Sequence, residues 1–211
     1  RVLHERFPGA RILAEESGAS GGSDVRFADL RFIVDPLDGT TNYAHGLPLY
    51  CCTVGAEVNG ALEAGCTVDP TRDEVFLAER GAGATLNGAK LSVSDVSELE
   101  RALVCTGFPY GDREKLPEMI ALFGRLTEFS RGSRRLGSAA LDLAYVAAGR
   151  LDAFWEVGLK PWDVAAGVLL VQEAGGVVTR VDGSPHDLAG GQILATAPGI
   201  HAAMQHQLSP H

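Results

Sequence analysis

The chain has 211 residues, 45% of them hydrophobic and 21% charged, the balance of an ordinary globular protein with one sizeable core or two small ones. Its net charge of -9 and pI near 5.1 argue against nucleic acid or a membrane surface as the main partner. No apolar run reaches the roughly 18 residues of a spanning helix.

The chain opens on Arg1 rather than Met, and no secretory signal is expected. Residues 1–7 read as the end of a helix stopped by Pro8-Gly9. Residues 11–13 read as a short strand running into Ala14-Glu15-Glu16-Ser17, and 18–23 as a plain connector or a mobile flap. Phe32-Ile33-Val34 is a β-branched apolar run, the pattern of a buried strand. Pro36 lacks an N–H and is expected to end it. Asp38-Gly39 then makes a tight turn with Gly39 at positive φ, and Thr40, Thr41 and Asn42 are all able to cap a short helix.

Strands over 50–58, 61–68 and 74–78 form an antiparallel meander, joined by the hairpin pair Asn59-Gly60 and a longer turn over 69–73. Cys51 and Cys52 are neighbours in the first of these strands and point to opposite faces. With Cys66 and Cys105 they form no C-x-x-C pair and no zinc spacing, so all four read as reduced thiols of a cytoplasmic protein. Gly81, Gly83, Asn87 and Gly88 mark a further turn, and 91–93 a short strand. A strand over 103–106 ends at Gly107-Phe108-Pro109-Tyr110-Gly111. Helical spacing covers 116–129, with Met119, Leu122, Phe123 and Leu126 on one face. Two stronger helices, 138–148 and 163–174, stop at Gly149 and Gly175-Gly176. Strands at 152–157, 177–181 and 192–196 alternate with them, and a helix over 200–208 closes the chain. Hairpins dominate the first half and alternation the second. This predicts an α+β fold of layers with two closely packed subdomains, 1–110 and 111–211, in one unit.

Asp35 and Asp38 straddle a proline turn at the mouth of a sheet, beside free backbone N–H groups. Carboxylates hold hard cations and N–H groups at a helix start hold phosphate, so the stretch points to metal-assisted phosphate chemistry. Glu15-Glu16 after the first strand and Asp163 at a helix start are further acidic candidates. Each has a plainer role available: turn formers for Asp35 and Asp38, a solvated loop for the glutamates, an N-cap for Asp163.

Together these residues resemble the inositol monophosphatase family of magnesium-dependent, lithium-sensitive phosphatases. Asp35-Pro36-Leu37-Asp38-Gly39-Thr40 is similar to its metal motif. Trp162-Asp163-Val164-Ala165-Ala166-Gly167, followed by Glu173-Ala174-Gly175-Gly176, is similar to its second motif, and Glu15-Glu16-Ser17 to its upstream pair. The segment from Arg134-Arg135-Leu136-Gly137-Ser138 to Tyr145 looks most like the bacterial, SuhB-like branch. The motifs stand in the family's order along the whole chain.

The resemblance implies a layered αβαβα sugar-phosphatase fold, shared with fructose-1,6-bisphosphatase. It implies hydrolysis of inositol monophosphate to inositol and phosphate by metal-activated water, without a covalent intermediate. Two or three Mg2+ ions are implied. Glu15, Asp35 and the Leu37 carbonyl would hold one, and Asp35, Asp38 and Asp163 another, with Asp35 bridging. Glu15, Asp38 and Thr40 would be catalytic, the Thr40 hydroxyl orienting the water, while the Gly39 and Thr40 N–H groups cradle phosphate. Asp38, Gly137, Ser138, Ala139, Glu156 and Asp163 would contact the alcohol of a small phosphorylated polyol. Glu156 has the alternative of pairing with a nearby arginine. Arg134 and Arg135 read as pocket-rim or interface residues rather than phosphate ligands. His45 is not needed as a general acid, since the metal site protonates the leaving group through water.

By the same resemblance the protein is expected to be a cytoplasmic homodimer. Family members carry N-terminal helices with a threonine, a lysine and an aspartate, the last pairing with the motif threonine. Those helices are expected to be missing here, which would leave Thr40 without that partner, and Ala14 replaces the glycine before the glutamate pair. Two alternatives stay open. One is fructose-1,6-bisphosphatase, histidinol-phosphatase or adenosine bisphosphate phosphatase activity on the same fold. The other is a SuhB-like regulator that binds transcription partners. Thr41 favours the inositol branch, because the nucleotide and histidinol branches commonly carry lysine there.

Overall fold

The computed structural model describes residues 2–21, 27, 29–108 and 114–209. Alternation sets the first sheet. In β4 (Cys51–Val58) Cys51, Thr53, Gly55 and Glu57 are buried while Cys52 and Val58 are exposed, as a strand with one covered face requires. β5 (Ala61–Asp69), β6 (Glu74–Glu79), β7 (Gly83–Leu86) and β8 (Ala89–Lys90) follow, each antiparallel to the last. Asn59 and Gly60 take φ of 52° and 82°, the two-residue turn this pair predicts. β3 (Leu30–Asp38) pairs antiparallel with β4 and parallel with β1 (Arg11–Ala14), and β2 (Gly18–Ser20) folds back on β1. The spatial order is β2-β1-β3-β4-β5-β6-β7-β8.

A second sheet runs β10-β9-β11-β13-β12. It comprises β9 (Leu103–Thr106), β10 (Gly132–Arg134), β11 (Ala153–Val157), β12 (Val177–Thr179) and β13 (Gln192–Thr196). The pairs around β9 are parallel and those around β13 antiparallel.

Two helices lie between the sheets because they are apolar on all sides. α4 (Ala139–Ala147) is buried along its whole length, and α5 (Pro161–Glu173) from residue 164 to 171. Their core takes Ile33 and Phe76 from the first sheet and Phe154 and Ile193 from the second. α3 (Leu116–Phe129) and α6 (His201–Leu208) cover the far face of the second sheet through Met119, Leu122, Leu126, Met204 and Leu208. Phe123, expected on that same helical face, is half-buried. α1 (Val2–Arg6) lies on the far face of the first sheet, where Leu3 and Phe7 meet Ile12 and Phe32. The layers are therefore αβαβα, as expected. No helix among the described residues is long and apolar enough to cross a membrane.

Small residues set how deeply α5 sits. Gly55 and Gly65 are register partners on β4 and β5. A Cβ on Gly55 would lie 2.8 Å from the Ala165 Cβ, and one on Gly65 2.9 Å from the Ala166 backbone. Gly167 approaches Leu143 of α4 as closely, so glycines line both sides of the helix. Replacing Gly65 with Val is expected to lower stability by about 1–3 kcal/mol through overpacking. It should also weaken metal binding, because α5 carries Asp163. Thermal melts with and without Mg2+ read both effects, and an unchanged melting temperature would contradict the packing argument.

Several local expectations are corrected. β3 does not stop at Pro36 but runs to Asp38. Its register on β4 shifts between Asp35 and Asp38, so the proline sits in a bulge where no ladder hydrogen bond is needed. Residues 18–20 form strand β2 rather than a loop; residues 22 and 23 lie outside the described residues. The segment 83–86 is strand β7, closed by Asn87-Gly88, and the two-residue strand that follows is Ala89–Lys90 rather than 91–93. Leu91 and Val93 instead donate backbone N–H groups to the Ala84 and Ala174 carbonyls. Helix α5 begins at Pro161, two residues before the expected start, since proline suits the first helical turn. Pro109, Tyr110 and Gly111 lie outside the described residues.

Candidate active site

The bulge at the end of β3 aims two carboxylates the same way. Asp35 is 1% exposed, and its Oδ1 accepts the Leu37 N–H at 2.9 Å. Three residues on, Asp38 meets α4: its Oδ2 accepts the Ser138 hydroxyl at 2.5 Å and the Ala140 N–H at 2.9 Å. The Cys51 thiol lies 3.8 Å from the same oxygen. Asp163 is the third residue of α5, and its Oδ2 accepts the Lys160 N–H at 2.7 Å. Each carboxylate thus has one oxygen held by the fold. Each also offers an oxygen to a common point, the three lying within 4.8 Å of one another.

Gly39 supplies the turn into α2 (Thr40–Ala44) with φ 85°. A Cβ there would come within 2.7 Å of the Leu49 carbonyl, so the position excludes a side chain on two counts. The Thr40 hydroxyl donates to the Leu37 carbonyl at 3.2 Å. Asn42, read from sequence as one of three possible caps, does something else. Its buried Nδ2 donates to the Leu49 and Leu136 carbonyls, both at 2.8 Å. It thereby ties α2 to the segment that leads into α4, and Gly137, at φ 87°, packs against its amide. No sequence pattern signals this clamp, because one of its two partners, Leu136, is remote in the chain.

The three carboxylates and the start of α2 line one cavity of about 360 Å³. Glu15, Asp35, Leu37, Asp38, Gly39, Thr40, Gly137, Ser138, Ala139, Glu156 and Asp163 all face it, so every site residue expected from sequence is brought there. Glu15 stands in the exposed β1–β2 turn, outside the triad, with its backbone N–H on the Val34 carbonyl at 3.3 Å. The Ser138 hydroxyl is taken up by Asp38 and is 1% exposed. His45 and Arg134 do not line the cavity, whereas Arg135 does. Trp162, the first residue of the second motif, lines it as well; Gly107, Phe108, Gly158, Leu159 and Lys160 also line it and carry no signal of a site role in the sequence, although Lys160 lies close before that motif.

The electrostatics are those of a site built around positive charge. Burial first, then the charges of Asp38, Glu15 and Asp163, push the Asp35 carboxyl up to about 8 against the pull of the Leu37 N–H. Burial also raises Asp38, despite its hydrogen bonds to Ser138 and Ala140. Asp163 is pushed up to about 6 by burial, with Asp38 and Glu15 adding to the rise. Glu156, again mainly through burial and then through Asp163 and Asp38, reaches about 8. Crowded, desolvated carboxylates of this kind hold their charge at neutral pH when a divalent cation lies among them. The donors are all oxygen, which suits a hard cation.

The end of β3 and the start of α5 bring three carboxylates close enough together to hold a metal ion. The profile of the inositol monophosphatase family matches residues 1–210, and the chain belongs to that family. It is 46% identical to the Nus factor SuhB of Pseudomonas aeruginosa, over 100% of this chain and 78% of that one. It is 44% identical to the inositol-1-monophosphatase of Synechocystis, over 99% of this chain and 71% of the relative. Among solved structures, an inositol monophosphatase from Anabaena superposes with a TM-score of 0.92 at 48% identity, covering 98% of this chain and 81% of the other. The inositol monophosphate-bound SaIMPase-II superposes with a TM-score of 0.82 at 29% identity, covering 97% and 78%. On these grounds the chain is a metal-dependent phosphatase.

Proposed function

We propose that the protein hydrolyses the phosphomonoester of a small polyol, inositol monophosphate foremost, with Mg2+ as its cation. The observation that carries this reading is the meeting of Asp35, Asp38 and Asp163, from two distant parts of the chain, in a cavity that also holds Glu156 and the start of α2. Asp35 with Glu15 and the Leu37 carbonyl would hold one ion, and the triad another, with two or three in all. Bound there, Mg2+ supplies an acidified water for attack and charge that offsets the phosphate and the leaving alkoxide.

The chain's own groups do the rest. The Gly39 and Thr40 N–H groups bind phosphate oxygens, and the Thr40 hydroxyl orients the attacking water. Glu156 accepts hydrogen bonds from the alcohol's hydroxyls, with Gly137, Ser138 and Ala139 forming the opposite wall. Asp38 and Asp163 face the hydroxyl next to the ester. The Synechocystis relative and the inositol monophosphate-bound neighbour support this alcohol.

A substrate panel tests it. With Mg2+ present, kcat/KM should be highest for inositol 1-phosphate and lower for fructose 1,6-bisphosphate, histidinol phosphate and adenosine bisphosphate. A higher value for any of the last three would assign that chemistry instead.

The relatives named Nus factor SuhB support a second reading, in which the protein is a regulator that binds transcription partners. An Asp38→Asn variant that still performed the protein's cellular role would favour it.

A further inference from the structure

Most glycines in the described chain have one of two explanations. Many take positive φ, which favours glycine. Others, such as Gly55, Gly65 and Gly167, lie where a helix presses close. Gly107 has neither. Its φ is outside the left-handed region, so its backbone suits any residue, and the atoms nearest to it are not those of a helix. The three atoms nearest to a Cβ built there are all from one group: both carboxylate oxygens and the Cδ of Glu156.

The strand register explains why. β9 and β11 run parallel with Thr106 opposite Trp155. The pair is locked by the Thr106 hydroxyl, which donates to the Trp155 carbonyl at 2.7 Å. Gly107 and Glu156 are the next step along, where neighbouring side chains of adjacent strands come into contact. Both line the cavity. Glu156 is 9% exposed, and no hydrogen bond from a described residue holds its carboxylate. The carboxylate lies in the volume that a side chain at 107 would fill, and the charge of Arg135, which lines the same cavity, favours its ionised form.

We propose that Gly107 is a positioning residue, whose bare Cα is the floor on which the Glu156 carboxylate lies, and that it thereby sets the selectivity of the site for polyhydroxylated alcohols. The inference rests on Glu156 as the group that binds the alcohol. A methyl group at 107 meets only the far end of a flexible side chain, so Gly107→Ala folds normally and turns Glu156 out of its place.

The test uses the full chain and two substrates in Mg2+: inositol 1-phosphate, and p-nitrophenyl phosphate, whose leaving group has no hydroxyls to bind. The readout is the ratio of their kcat/KM values. Glu156→Ala lowers that ratio about ten- to a hundred-fold, as for a lost hydrogen bond to a charged group. Gly107→Ala lowers it similarly, mainly through KM for inositol 1-phosphate. In the Glu156→Ala background Gly107→Ala has no further effect, and in the Gly107→Ala background the shorter Glu156→Asp restores part of the ratio. An equal loss in both backgrounds, or no loss in Gly107→Ala alone, overturns the proposal and leaves the role of Glu156 standing. An unchanged ratio in Glu156→Ala overturns the role of Glu156 and the proposal with it. A crystal structure of Gly107→Ala decides the geometry without any activity: a displaced Glu156 supports the proposal, and an unmoved one overturns it.

Discussion

Asp38→Asn in the full chain is expected to lower Mg2+-dependent phosphate release by more than about a hundred-fold, beyond the range seen when only an outer partner of a metal ligand is lost. The substitution keeps the shape and leaves an oxygen for the Ser138 hydroxyl and the Ala140 N–H that now hold Asp38. What it removes is the negative charge, placing a neutral amide where an ionised oxygen would meet the cation. Asp163→Asn should act alike, since its bond from the Lys160 N–H also survives as an amide contact. The two variants should differ from ordinary destabilised mutants in one respect. Burial disfavours the Asp38 charge in the metal-free protein, so Asp38→Asn should melt no lower than the parent without metal, and gain less on adding Mg2+. Phosphate-release assays paired with thermal melts check both. Turnover near the parent's level in either variant would remove these residues from the metal site.

The second large effect is on stability with pH when metal is removed. Asp35, Glu156 and Asp163 have folded pKa values of about 8, 8 and 6, against ordinary values of 3.8, 4.5 and 3.8. Between the two values the folded state binds more protons than the unfolded, so stability falls as pH rises. The favourable contribution is complete below the ordinary carboxylate values and is lost by about pH 8. His186 and His201 oppose this below 6.5, because burial holds both below their ordinary value. The clean window is therefore pH 6.5 to 8. Over it the chelated protein should lose several degrees of melting temperature. Mg2+ should restore them, and restore more at pH 8 than at 6.5, because ligands must shed protons to bind metal. A melting temperature that stays level or rises across that window without metal would show that the carboxylates do not crowd one another as described.

Much of the site was legible because its signals are local. The Asp38-Gly39 turn, the cap-rich start of α2 and the Asp163 helix start are each set by residues within a few positions. Pro36 shows where a local rule fails. Proline does end interior ladders, but a one-residue bulge gave it a place inside β3, and that bulge is what turns Asp35 and Asp38 to one side. Residues 18–20 were read as a loop from their glycine and serine, yet pairing with β1 makes them a strand that ends the Glu15 turn. Asn42, Gly65 and Gly107 could not be read from sequence at all. Each depends on a group remote in the chain: the carbonyl of Leu136, the backbone of Ala166, the carboxylate of Glu156. Such residues make the contacts that bring separate motifs together, and a linear pattern does not show them.

The most direct test of the central claim is phosphate release from inositol 1-phosphate by the full chain, chelated and then titrated with Mg2+. The account predicts no release in chelator, a saturable return as Mg2+ is added, and suppression by lithium. Release that continues undiminished in chelator would contradict it, since the gathered carboxylates would then have no cation to hold.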